Sequence, residues 1–117
     1  MCLVSSVAYH YKVYQVNRVV DGDTVDLTVD LGFGIFHKMR VRLEGIDTPE
    51  TRTRDLEEKE RGLAATDFLN ELINNATELT LTTEKTGKYG RYLGTFWDRT
   101  HSINQVMLDE GHAEVYK

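Results

Sequence analysis

The stretch that decides the fold runs from Val25 to Leu31 and has the sequence Val-Asp-Leu-Thr-Val-Asp-Leu. Apolar and polar residues alternate strictly along it, which is the period-two pattern of a β-strand with one buried face. The alternation predicts that Val25, Leu27, Val29 and Leu31 all point into a core. It therefore predicts a strand that covers a hydrophobic core on one side.

Two further strands flank this one in the sequence. Residues Tyr9 to Val20 are rich in Tyr and Val, and Asp21-Gly22 marks a tight turn into the central strand. The alternation returns from Met39 to Glu44, after a turn supplied by Gly32-Phe33-Gly34. The first part of the chain therefore predicts a three-stranded meander.

Helical spacing replaces alternation beyond the meander, and it predicts a helix from about Asp55 to Asn75. Short strands are predicted at Leu79–Thr82 and Tyr92–Trp97, with a polar loop at Thr83–Gly90 between them. Ser102 and Gln105 have the spacing of a capping box, which predicts a short helix that ends at Gly111.

The order of these elements is three strands, a helix, two strands and a helix. Five strands with a helix after the third fit the OB-fold, a closed Greek-key barrel. The sequence therefore predicts an α+β protein: a five-stranded OB-fold barrel with one long and one short helix.

Length and composition point to one domain that spans residues 1–117, because the chain has 117 residues and a mass of 13.4 kDa. A single cysteine, Cys2, excludes an internal disulfide framework. No apolar run reaches the roughly 20 residues of a membrane span. The first residues lack the basic start of a signal peptide. We therefore expect a monomer in the cytoplasm that does not associate with membranes.

The net charge of −5 argues against a nucleic-acid partner, because phosphate contacts favour a positive surface. The charge is distributed unevenly, however. Most of the acidity lies in residues 55–84, whereas residues 36–54 and 85–101 are positive overall. This distribution predicts weak non-specific affinity for DNA, with binding confined to one cleft.

Three loops carry residues suited to chemistry. Asp23, Asp47 and Glu50 are hard oxygen donors of the type that Ca²⁺ or Mg²⁺ prefers. In the third loop, Lys88-Tyr89-Gly90-Arg91, the arginine can grip a phosphate with two parallel hydrogen bonds. Each motif taken alone also fits an ordinary solvated turn.

Taken together and in order, four runs resemble the staphylococcal nuclease (thermonuclease) family. They are Val-Val-Asp-Gly-Asp-Thr-Val at 19–25, Val-Arg-Leu-Glu-Gly-Ile-Asp-Thr-Pro-Glu at 41–50, Lys-Tyr-Gly-Arg-Tyr-Leu-Gly at 88–94 and Ile-Asn-Gln-Val-Met-Leu-Asp-Glu-Gly-His-Ala at 103–113. The similarity covers roughly residues 9 to 116. It implies an OB-type barrel that cleaves DNA and RNA with Ca²⁺ and leaves 3′-phosphates.

The resemblance also implies a calcium site and a base. Asp23 and Asp47 would bind calcium through their carboxylates, and Thr48 would bind it through its backbone carbonyl. Glu50 would act as the general base or would orient the attacking water.

The remaining roles implied by the resemblance concern the substrate. Arg42 and Arg91 would hold the scissile phosphate. Lys88 and Tyr89 would contact the other phosphate of the nucleotide. Tyr116 is an approximate match to the base-stacking tyrosine of the family.

Because all five residues of catalytic type are present, we expect an active metal-dependent endonuclease; the five are Asp23, Arg42, Asp47, Glu50 and Arg91. One alternative is a non-catalytic OB-fold module that binds single strands, which would need exposed aromatic side chains on the barrel face. A second alternative is a structural domain that calcium stabilises, which would neither bind nor cleave nucleic acid.

Overall fold

Strands dominate the part of the chain that the computed structural model describes, residues 9–86 and 92–115. The elements in chain order are β1 (Tyr9–Asp21), β2 (Thr24–Asp30), β3 (Phe36–Leu43), β4 (Ile46–Asp47), α1 (Leu56–Asn74), β5 (Leu79–Thr86), β6 (Tyr92–Asp98), β7 (His101–Ser102), α2 (Ile103–Asp109) and β8 (Glu114–Val115). Within the described ranges, no helix is both long and apolar enough to cross a membrane.

The five long strands close into a mixed barrel. The sheet order is β3-β2-β1-β5-β6, and β3 also pairs with β6 in parallel, with Val41 beside Tyr92 and Leu43 beside Gly94. The other pairings between long strands are antiparallel. A closed five-stranded barrel with two helices confirms the predicted OB-type α+β fold.

The barrel interior confirms the alternation in β2 at three of its four positions. Val25, Leu27 and Val29 are fully buried, whereas Leu31 is 42% exposed. The prediction for Leu31 was wrong because β2 ends at Asp30, and Leu31 begins the hairpin connection to β3. Phe96 of β6 is also fully buried and fills the barrel beside these strands.

Helix α1 forms and ends close to where the sequence predicts. The Asp55 carboxylate caps its start by accepting hydrogen bonds from the backbone N–H groups of Glu57 and Glu58. Its buried residues recur at helical spacing, so they share the face that packs on the barrel. They are Gly62, Ala65, Leu69 and Ile73.

The structure departs from the sequence prediction at β5 and at the short strands β4 and β8. Residues 83–86, predicted as part of a loop, continue β5 and pair with β6. Strands β4 and β8 form a separate two-stranded sheet, which the sequence analysis did not predict.

The capping box at α2 is only half formed. Ser102 accepts a hydrogen bond from the Gln105 backbone N–H, but the Gln105 side chain donates to Asp109 instead of returning to Ser102. The helix still begins and ends near the predicted positions.

Candidate active site

Asp23 is fixed in the tight turn between β1 and β2. A Cβ on Gly22 would lie 2.8 Å from the Ala65 Cβ and 3.0 Å from the Thr48 Cγ2, so this turn can pack on α1 only without a side chain. The Asp23 carboxylate is buried and accepts hydrogen bonds from the Thr48 backbone N–H and the Thr24 hydroxyl. The turn therefore joins Asp23 to the loop that follows β4.

Arg42, near the end of β3, lies between two carboxylates. Its Nη2 is 3.4 Å from Asp23 Oδ2 and 3.2 Å from Asp47 Oδ1. The Arg42 side chain is 15% exposed and that of Asp23 is 12% exposed, whereas that of Asp47 is 55% exposed. The guanidinium thus places a positive charge beside a largely buried carboxylate.

The loop from residue 47 to residue 50 is held from two sides. β8 pairs with β4, so Glu114 lies opposite Asp47. On the other side, a Cβ on Gly62 would lie 2.7 Å from the Glu50 carbonyl oxygen and 2.8 Å from that of Pro49. The loop backbone therefore packs directly on the backbone of α1. This contact fixes the position of the Glu50 backbone, from which the side chain extends.

A cleft of about 260 Å³ opens beside this loop. Its lining residues are Val20, Asp21, Thr24, Arg40, Arg42, Glu50 and Arg52. The cleft combines three guanidinium groups, which can each grip a phosphate with two hydrogen bonds, with the carboxylates of Asp21 and Glu50. A second cavity of about 270 Å³ lies against the same loop and is lined by Asp47 and Thr48 among others.

Arg40 is held by an ion pair across the sheet. It donates two hydrogen bonds to Asp26, at 2.7 and 3.0 Å. These hydrogen bonds, with the charge of Arg40 and of nearby Arg18, hold the pKa of the Asp26 carboxyl below its ordinary value. The same hydrogen bonds raise the pKa of the Arg40 guanidinium further.

The donor chemistry at the site fits a hard divalent cation. Asp23 and Asp47 both approach one nitrogen of Arg42, and the buried Thr48 hydroxyl has no hydrogen-bond partner among the described residues. Within residues 9–86 and 92–115, however, no three carboxylate, imidazole or thiol side chains are grouped closely enough to hold a metal by themselves. A cation here would need backbone carbonyl or water oxygens to complete its shell.

The structure thus brings Asp23, Arg42, Asp47 and Thr48 into direct contact, and it places Glu50 in the cleft with Arg42. Four other predicted site residues lie outside the described residues: Lys88, Tyr89, Arg91 and Tyr116.

Arg40 and Arg52 also line the cleft, although neither was predicted from the sequence as a site residue. The sequence did contain a signal for Arg40, because it lies two residues before Arg42 in β3 and therefore shares the same face of the strand.

Comparison with known proteins agrees with this site. The sequence model of the family described as "Staphylococcal nuclease homologue" matches residues 40–117. The thermonuclease of Staphylococcus intermedius is 37% identical over 101 residues, which are 86% of this chain and 57% of that protein. Protein ParB of Escherichia coli is 31% identical over 124 residues, which are 98% of this chain and 63% of that protein.

The micrococcal nuclease of Shigella flexneri is 30% identical over 112 residues, which are 88% of this chain and 58% of that protein. The barrel, the site and these matches define the class: the chain belongs to the staphylococcal nuclease homologue family. It spans less than two thirds of the length of each of these three relatives.

Proposed function

We propose that this chain forms one nuclease domain, acts as a monomer and hydrolyses phosphodiester bonds of DNA or RNA with Ca²⁺, leaving 3′-phosphates. The observation that carries the proposal is Arg42, which is bridged to Asp23 and Asp47 at the edge of a cleft that also contains Glu50. Family membership supports it, since two of the relatives are named as nucleases.

In this proposal Ca²⁺ is held by the Asp23 and Asp47 carboxylates and the Thr48 backbone carbonyl. The cation would supply positive charge to the phosphate and lower the pKa of a bound water. Asp23 and Asp47 together carry more negative charge than Arg42 carries positive charge, so this group of three side chains favours a cation before it favours an anion. We therefore expect substrate binding to depend on the metal.

The chain's own residues would do the rest of the chemistry. Glu50 would accept a proton from the attacking water or orient that water. Arg42 and Arg91 would bind the non-bridging oxygens, where negative charge grows in the transition state, and so would stabilise it more than the ground state. Arg91 would also neutralise the departing 5′-oxygen. Lys88, Tyr89 and Tyr116 would bind the flanking nucleotide.

Digestion of a 5′-labelled single-stranded DNA tests the proposal. We expect cleavage with Ca²⁺, its loss with chelator and its return when Ca²⁺ is added back. The products should lose their terminal phosphate to a 3′-phosphatase. The Glu50→Gln variant should be impaired, whereas Arg54→Ala, at an exposed position of the following loop, serves as the control. Equal cleavage with and without chelator would contradict metal dependence.

One observation favours the alternative function, in which the domain binds single strands without cleaving them. Tyr14 and Phe36 are 62% and 49% exposed on the barrel surface, and such aromatic side chains are what the binding module requires. Folded protein that binds a labelled single strand but cleaves nothing with any divalent cation would establish that function instead. A rise in melting temperature with Ca²⁺, with neither binding nor cleavage, would identify a structural calcium domain.

A further inference from the structure

The outer face of the β1–β3 sheet begins at the cleft and runs to the β2–β3 hairpin. We define this outer face by its charged and aromatic residues, which are Lys12, Tyr14, Arg18, Asp26, Asp30, Phe36, Lys38 and Arg40. Cross-strand partners in a sheet point to the same side, so the register places these residues together. The tilted ring contact between Tyr14 and Phe36 confirms this for the hairpin end.

A row of side chains along β3 connects the cleft to that hairpin end. Phe36, Lys38, Arg40 and Arg42 occupy alternate positions, so they project from one side of the strand. They follow one another at intervals of about 7 Å, which makes the row about 20 Å long. Arg40 and Arg42 both line the cleft, so the row is continuous with the proposed catalytic site.

Positive charge exceeds negative charge on this outer face. Its cations are Lys12, Arg18, Lys38 and Arg40, and its anions are Asp26 and Asp30, with Asp21 as a third carboxylate where the face meets the cleft. Asp26 is shared between Arg40, which it pairs with directly, and Arg18, which lies opposite it. Asp30 accepts a hydrogen bond from the Gly32 backbone N–H. The chain as a whole has a net charge of −5, so a face with an excess of positive charge is unusual on this protein. Such a face beside a cleft favours the binding of a polyanion.

The aromatic pair adds a second kind of contact. The ring centroids of Tyr14 and Phe36 are 4.6 Å apart and the rings are tilted by 54°. Each ring contacts the other, yet both side chains stay largely exposed to solvent. Exposed rings beside cations suit a single strand, whose unpaired bases can stack while its phosphates contact the cations. A duplex keeps its bases stacked within and cannot use the rings in this way.

We propose that the outer face binds a single strand of nucleic acid, which continues from the cleft along β3 toward the hairpin. Arg40 and Lys38 contact its phosphates, and Tyr14 and Phe36 stack on its bases. The inference rests on the proposed function, because the cleft is where the bound strand begins. It goes further in assigning a site for nucleotides beyond those at the scissile bond.

Direct binding tests the outer face independently of cleavage. The probe is a fluorescent 15-nucleotide single strand. Its binding is measured by fluorescence anisotropy in the presence of Ca²⁺, with protein that carries the Glu50→Gln substitution. Adding Tyr14→Ala and Phe36→Ala together should raise the Kd about 10-fold, within the range measured for lost base stacking. Adding Lys38→Gln should make the binding less dependent on salt. The slope of the logarithm of the association constant against the logarithm of the salt concentration should decrease in magnitude by about 0.7. Leu56→Ala and Lys59→Gln, both at exposed positions of α1, are the matched controls.

Kinetics supply a second measurement. With Glu50 intact, the double aromatic variant should lower the preference in kcat/KM for the 15-nucleotide strand over a dinucleotide by about 10-fold, the same factor as in binding. If cleavage is absent but the binding differences appear, the outer face is supported and the proposed nuclease function fails. If cleavage is normal but neither the Kd nor the salt slope changes, the outer face is refuted and the nuclease function stands.

The exposed rings of Tyr14 and Phe36 could instead form a dimer interface. Analytical ultracentrifugation of the wild type and the double aromatic variant distinguishes dimerisation from binding of a single strand. A dimer that the aromatic substitutions dissociate, with strand affinity unchanged, would overturn the proposal. Because all the altered side chains are exposed, the variants should keep the wild-type circular dichroism spectrum. The single Lys38→Gln change provides a test that removes no packing.

Discussion

Arg42 Nη2 lies 3.4 Å from Asp23 Oδ2, and both side chains are largely buried at the edge of the barrel. The two residues come from adjacent strand ends, and each compensates the charge of the other. A buried ion pair of this kind costs several kcal/mol when one partner is removed. The pair therefore links the stability of the barrel to the integrity of the candidate site.

Replacing Arg42 with Ala should separate metal binding from cleavage. On the proposed function, kcat should fall about 100-fold or more, because a donor that we propose to bind the phosphate is lost. Calcium affinity, measured by isothermal titration, should not fall, because Asp23 and Asp47 lose only a competing cation. Arg42→Lys should also be impaired, since an ammonium lacks the two-pronged geometry. Unchanged kcat in Arg42→Ala, with Arg54→Ala as the control, would remove Arg42 from catalysis.

The Thr48→Val substitution tests how Thr48 participates. The Thr48 hydroxyl is buried without a hydrogen-bond partner among the described residues, so valine should stabilise the fold by about 1 kcal/mol. The backbone carbonyl is retained, and calcium affinity should stay at the wild-type value. A clear loss of calcium affinity would show instead that the hydroxyl is a ligand.

The Gly62→Ala substitution should destabilise the protein, although alanine is the better helix former by about 1 kcal/mol. The new Cβ would lie 2.7 Å from the Glu50 carbonyl oxygen, so the loop that carries Glu50 must move. We expect a lower melting temperature and a lower kcat. Ala64→Gly, at an exposed position of the same helix, measures the propensity effect alone. A rise in melting temperature for Gly62→Ala would contradict the close packing.

Asn104 of α2 should prove essential for stability. Its side-chain amide donates to the carbonyl oxygens of Glu44 and Gly94, at 2.9 and 3.2 Å, and its oxygen accepts from the Phe96 N–H at 3.2 Å. Asn104→Leu would leave the Glu44 carbonyl and the Phe96 N–H without this partner, each at a cost of about 1–3 kcal/mol where no water replaces the amide, whereas the Gly94 carbonyl keeps its hydrogen bond from the Glu44 N–H. We expect the free energy of unfolding in urea to fall by about 3 kcal/mol. A change under about 0.5 kcal/mol would mean that water takes over these bonds.

The ion pair between Asp26 and Arg40 predicts a pH-dependent contribution. The pKa of Asp26 in the folded protein is below its ordinary value of 3.8, so the pair stabilises the fold above that pH and loses its effect as the pH falls through the folded pKa. Both side chains are partly exposed, which limits the contribution to about 1 kcal/mol or less. Asp26→Asn should therefore lower the melting temperature more at pH 7 than at pH 2. Equal differences at both pH values would show that the charge is not responsible.

Regular patterns explain why most of the fold could be predicted from the sequence. The alternation in β2 and the helical spacing in α1 reflect one buried face each, and both elements form within one or two residues of the predicted bounds. The two-residue strands β4 and β8 are too short to show any period. The extension of β5 through residues 83–86 was missed because those residues are polar and their pairing depends on β6.

Some residues in and around the site could be predicted from the sequence, and others could not. Asp23, Arg42 and Asp47 were predicted from motifs, and the structure brings them together. Asn104 was missed because a lone asparagine in a short helix gives no indication of which distant carbonyls it will meet. The close packing of Gly62 was equally hidden, since it depends on where the loop at residues 49–50 settles on α1.

The parallel pairing of β3 with β6 has a consequence for how the protein is made. Asp23, Arg42, Asp47 and Glu50 are all synthesised within the first half of the chain. The groups that hold them in place, at Gly62, Gly94, Asn104 and Glu114, follow later. A growing chain on the ribosome therefore carries its acidic and basic site residues for some time before the barrel can close around them. The candidate site is therefore assembled only after β6, α2 and β8 have been synthesised.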